Sequence, residues 1–107
     1  TFELVRKAVA AAEAQAVRYH VGNIGSADLF YTPDPAMFET MAAENVYGSE
    51  MEAAGISPRA ADHGAEARAI CTVSDDIPSG NALSVEDRAT TFDDMIRVAL
   101  DTAIADS

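Results

Sequence analysis

At 107 residues, with 49% apolar side chains, the chain has the size and composition of one small folded domain or half of a larger one. Its 18 acidic and 7 basic residues give a formal net charge of -11, which repels phosphate backbones and anionic headgroups and argues against nucleic acid and membrane surfaces as partners. A single cysteine, Cys71, rules out an internal disulfide and fits a reducing cytoplasm, and no apolar run approaches the ~18 residues that would cross a bilayer.

The chain opens at Thr1 without an initiator methionine, which fits a protein trimmed or cut from a longer one, and it shows no charged-then-apolar leader that would address it for secretion. Over 2–18, "FELVRKAVAAAEAQAVR" sets Leu4, Val5, Ala8, Val9, Ala12 and Ala16 at a three-to-four spacing and predicts an amphipathic helix. "YHVGNIGS" changes to β-type residues with glycines and predicts a strand that leaves its sheet near Gly25. In "ADLFYTPDP", Asp34 followed by Pro35 predicts an N-cap with proline at the first helical position, and a helix over about 35–44. "VYGSEME" predicts a short strand, and "AAGISPRAADHG" a helix stopped by Gly64 at its C′ position. Pro58 removes a hydrogen bond from that helix unless it falls in the first turn. "EARAICTVSD" is the clearest buried strand, with Cys71 an inert thiol inside it and Ser74 and Asp75 at its end. After the loop "DIPSGNA", Ser84 with Asp87 resembles a capping box and opens a last helix with Phe92, Met95, Ile96, Ala99, Leu100 and Ala103 on one side.

Alternating helices and strands predict an α/β fold, a mixed and mostly parallel sheet flanked by helices, in which ligands gather beyond the carboxyl ends of strands. Glu50 and Glu52, Ser74 and Asp75, and the loop with Phe30 all fall at such ends. In an extended backbone Glu50 and Glu52 project to one face while Met51 points to the other. Two such carboxylates need hydrogen-bond donors if they lose water, and the hydroxyls of a ribose are suitable ones. An exposed strand end whose acids face solvent is the commoner meaning of E-x-E.

Asp75, partly desolvated after an apolar strand, suits a general acid, while a loop or capping aspartate is the commoner meaning of a lone S-D. Arg88, in the first turn of the last helix, can return to that carboxyl or serve as a plain surface arginine. Phe30 and Tyr31 read as core or hinge aromatics, or as a platform for a planar base. His20 and His63 stand apart from other ligating residues, so no metal site is expected, and neither a dinucleotide nor a P-loop motif is present.

The segments "VGNIGSADLFYTPDPAMFETM", "GSEMEAAGI", "ICTVSD" and "DRATTFDDMIRVAL" together resemble successive parts of the C-terminal half of the bacterial hexameric (high-molecular-mass) purine nucleoside phosphorylases, across essentially the whole chain. The resemblance implies that residues 1–107 are the C-terminal half of a single nucleoside phosphorylase-like domain whose N-terminal half is absent. It implies phosphorolysis of a purine nucleoside to free base and ribose 1-phosphate, with phosphate as co-substrate and no cofactor. By the same resemblance Asp75 is the general acid that protonates the purine at N7, and Arg88 pairs with it. Ser74 and Phe30 line the base, Met51 lies under the ribose, Glu52 binds its hydroxyls, and Glu50 belongs to the same wall.

Ser49 departs from the aliphatic residue usual in the family, and "ISPRAA" replaces a stretch that normally has an aromatic and a glycine. The family's phosphate-binding glycine and arginine residues belong to its N-terminal half. The resemblance therefore implies that half as a second chain or missing segment, neighbouring subunits of a homo-oligomer (a hexamer in the family), and no activity from this chain alone. Two alternatives stay open: a non-catalytic remnant that binds nucleoside weakly or only supports assembly, and a related nucleoside hydrolase with similar E-M-E and S-D elements.

Overall fold

The computed structural model describes residues 2–31 and 33–105, Thr90 by its backbone alone. In chain order the elements are α1 (Phe2–Ala14), β1 (Asn23–Ser26), α2 (Met37–Ala43), β2 (Val46–Glu50), α3 (Ala53–Asp62), β3 (Asp75–Asp76), β4 (Asn81–Ala82) and α4 (Val85–Ile104). They fall into two compact units, one holding the stretch up to Tyr19 with the stretch from Arg68 onward, the other running from His20 to Ala67. The architecture is mixed α/β with a parallel strand pair, as the alternation of elements predicts.

In the first unit α1 packs on α4. α1 ends four residues before the predicted 18 because Ala16 takes a left-handed conformation at φ 55°. The amide of Val17 reaches back to the carbonyl of Ala12 (3.0 Å) and that of Ala16 to Glu13 (3.1 Å), the paired bonds of a Schellman stop. α4 begins where the sequence predicts, with the Ser84 hydroxyl accepting the amide of Asp87 at 3.0 Å.

The buried stripe of α4 differs from the expected one. Val98 and Thr102 are buried and Thr91 and Met95 half-buried, whereas Phe92, Ile96 and Leu100, one step round the helix, are exposed. Apolar residues cover more than one face of α4, and α1 can cover only one of them. The hydroxyl of buried Thr102 donates to the carbonyl of Val98 at 2.6 Å, so its burial leaves no unpaired donor.

The second unit is built on β1 and β2, which pair in parallel with Ile24 opposite Gly48, Gly25 opposite Ser49 and Ser26 opposite Glu50. Helix α2 packs against β2. Gly25 permits a close approach to α2, since a Cβ there would stand 2.9 Å from the terminal methyl of Met41. Asp34 does not cap α2. Its carboxylate accepts the amide of Ala36 (3.0 Å) in an Asx turn, and the helix starts at Met37, two residues later than predicted. Helix α3 stops at Gly64 as predicted: that residue adopts φ 66°, its amide bonds to Ala61 (3.1 Å), and the Ala65 amide bonds to Ala60 (2.9 Å). Pro58 lies inside α3, beyond its first turn.

The strand predicted over "EARAICTVSD" does not form as such. Residues 65–74 have no regular secondary structure, and only Asp75–Asp76 pair, antiparallel, with Asn81–Ala82 across a turn that includes Gly80 at φ 73°. Cys71 is exposed instead of buried. An apolar run becomes a buried strand only when neighbouring strands take up its backbone groups and other elements cover its faces. Among the described residues no strand pairs with 65–74.

Two substitutions test these backbone features in denaturant unfolding. Gly64→Ala should lower stability by about 1 kcal/mol because a Cβ is disfavoured at positive φ. Pro58→Ala should raise it by about 3 kcal/mol, by restoring an amide to the interior of α3.

Candidate functional site

Phe30, Glu50, Met51 and Glu52 belong to the second unit, and Ser74, Asp75 and Arg88 to the first. In the second unit β2 ends at Glu50 and α3 starts at Ala53, which leaves a two-residue bend at Met51 and Glu52. The two glutamates therefore do not project from one extended strand. Glu52 is the N-cap of α3, at φ -124° and ψ -25°, and its own side chain makes no capping hydrogen bond.

Glu50 does the capping from upstream. Its Oε2 accepts the backbone amides of Glu52 (2.7 Å) and Ala53 (2.8 Å), and its Oε1 accepts the hydroxyl of Ser26, its register partner on β1. The Ser26 oxygen in turn accepts the amide of Ala54 at 3.0 Å. The Ser26 hydroxyl, and then the amides of Glu52 and Ala53, hold the Glu50 carboxyl below its ordinary value. The Glu50 charge thus has a structural partner set: the unsatisfied amides of a helix start.

Phe30 and Tyr31 lie on the loop that follows β1, their ring centroids 5.0 Å apart and their planes at 88°, edge to face. Both rings are largely exposed, and Met51 is exposed in part.

In the first unit the structure brings Ser74, Asp75 and Arg88 together. Arg88 Nη2 donates to Asp75 Oδ1 at 3.1 Å, and the Ser74 hydroxyl donates to Asp75 Oδ2 at 2.8 Å. Arg88 also donates through Nε to the carbonyl of Leu83 (3.2 Å), while the Leu83 amide donates to the carbonyl of Ser74 (2.7 Å). The arginine is thereby tied to the hairpin that carries the aspartate. Side-chain exposures of 42% for Arg88 and 51% for Asp75 make this a solvent-screened pair that contributes little stability and chiefly fixes orientation. The desolvation expected of Asp75 is not found, because the preceding segment forms no buried strand.

Among the described residues no group of three or more His, Cys, Asp or Glu side chains could hold a metal ion, and no helix is long and apolar enough to cross a membrane. Sequence reasoning missed Ser26, which lies 24 residues from Glu50 and met it only through strand register. The serine at the end of "NIGS" carries no local pattern that would have revealed this.

Comparison with known proteins adds to this geometry. Residues 1–105 match the phosphorylase superfamily. The chain belongs to that superfamily. A DeoD-type purine nucleoside phosphorylase from Tolumonas auensis is 54% identical over 103 residues, which cover 96% of this chain and 44% of the relative. Another from Pectobacterium atrosepticum is 55% identical and one from Proteus mirabilis 53%, each over 96% of this chain and 43% of the relative. This superfamily member thus spans less than half the length of the curated relatives it matches.

Because the Glu50 carboxyl is depressed in the folded protein, its ionised form contributes stability that is present above the ordinary carboxylate range. That contribution is lost as pH falls through the lowered value. Denaturant unfolding at a series of acidic pH values should show wild-type stability falling more steeply than that of Glu50→Gln, which cannot titrate there.

Proposed function

We propose that this chain is the base- and ribose-binding half of a purine nucleoside phosphorylase domain, acting with an N-terminal half that supplies the phosphate site. The observation that carries the reading is the pairing of Arg88 and Ser74 with Asp75, whose carboxyl accepts a hydrogen bond at each oxygen and is held in one orientation, in a chain 54% identical to such an enzyme over 103 residues. In the reaction, the bond between the sugar C1′ and the purine N9 breaks, Asp75 gives its proton to the purine N7, and a phosphate oxygen bonds to C1′. The products are the free base and ribose 1-phosphate.

In this reading Phe30 packs on the purine, Ser74 lines its pocket, Met51 lies under the ribose, and Glu52 accepts its hydroxyls, with Glu50 in the same wall. The negative wall favours the positive charge that develops on the sugar. Phosphate is the co-substrate and no cofactor takes part. Neighbouring subunits of a homo-oligomer, a hexamer in this reading, complete the site in a cytoplasmic enzyme.

The proline inside α3 favours a second reading, a non-catalytic remnant that binds nucleoside weakly or only supports assembly. Substitution of residues 2–105 for the matching segment of the Tolumonas relative separates the readings. The chimera should cleave inosine only when phosphate is present, and Asp75→Asn should lower kcat by about 100-fold or more. Phosphate-independent cleavage would indicate a hydrolase, and no turnover a remnant.

A further inference from the structure

A helix start competes for any carboxylate beside it, because its first amides lack intrahelical partners and carry partial positive charge. Glu52, the N-cap of α3, stands where a side chain ordinarily turns back onto the amides of the second or third helical residue, here Ala54 or Gly55. Both are already taken. Ser26 accepts the Ala54 amide at 3.0 Å, and the Gly55 amide bonds to the Glu52 carbonyl at 3.0 Å. The amides of Glu52 and Ala53 go to Glu50. Every amide that could capture the Glu52 carboxylate is occupied, and that side chain stays exposed.

We propose that Ser26 is a positioning residue for ribose recognition: together with Glu50 it saturates the first turn of α3, so that the Glu52 carboxylate remains available to a sugar diol. The inference rests on the reading above that Glu52 receives the ribose hydroxyls. Ser26 is suited to the task because its single proton goes to Glu50, which aims its lone pairs at Ala54. Parallel register sets the two side chains next to each other at the ends of β1 and β2. Glu50 supports the ribose site through the backbone, since its Oε2 already accepts two amides and its Oε1 a hydroxyl. Without the Ser26 hydroxyl, the Ala54 amide is left for Glu52, which then caps its own helix and withdraws from the ligand.

The test compares Ser26→Ala and Ser26→Thr in the full chain, titrated by NMR with inosine and with 2′,3′-dideoxyinosine, which lacks the diol. Ser26→Ala should weaken inosine binding about tenfold, the order of one lost charge-assisted hydrogen bond, and change dideoxyinosine binding less than about twofold. Ser26→Thr, which keeps a hydroxyl, should restore wild-type selectivity. A purely structural role predicts equal losses for both nucleosides and would overturn the inference, as would unchanged selectivity in Ser26→Ala. Wild-type protein that binds the two nucleosides equally, or neither, overturns the diol reading of Glu52 and this inference with it. Selectivity that vanishes in Glu52→Gln but survives in Ser26→Ala refutes the role of Ser26 alone. If Ser26→Ala does not fold, amide exchange in Ser26→Thr decides: protection at Ala54 close to wild type supports the contact, and its loss refutes it.

Discussion

A helix separated by only two residues from the strand before it must find partners for its first amides within a very short connection. Here the last residue of β2 turns its carboxylate onto them, and a serine on the neighbouring strand completes the set. The arrangement requires β1 and β2 to be parallel and in the register that sets Ser26 opposite Glu50. Strand pairing, helix start and the bend at Met51 and Glu52 therefore depend on one charged group. A carboxylate beside an apolar stretch is costly when it has no donors, and the amides and hydroxyl around Glu50 offset that cost.

The hairpin of β3 and β4 serves Asp75 in a comparable way. Its backbone closes between Ser74 and Leu83, and Arg88 at the start of α4 holds both the aspartate and the Leu83 carbonyl. The Ser84 cap fixes the helix start from which Arg88 projects. In both units, then, a carboxylate on a strand is held by groups at the start of a helix. The difference lies in what each carboxylate is left to do. That of Glu50 is consumed by the scaffold, while those of Glu52 and Asp75 remain open to solvent.

Apolar surface also lies exposed in the first unit. Phe92, Ile96 and Leu100 on α4, and Val73 in the segment before β3, are exposed although their residue types favour burial. The apolar segment 65–74 reads as a strand yet pairs with no other strand among the described residues.

The sequence by itself determined what depends on neighbours a few residues apart. The Ser84 cap, the Gly64 stop and the existence of all four helices follow from local steric and hydrogen-bonding preferences that any surroundings would leave in place. The closeness of Arg88 to Asp75, 13 residues away, was within reach of the same reasoning. Only the tertiary structure decided which face of α4 is buried, whether 65–74 becomes a strand, and that Ser26 meets Glu50. Each of these depends on a partner far along the chain, and the energy of pairing or burial belongs to both members of a contact, so neither segment encodes it alone.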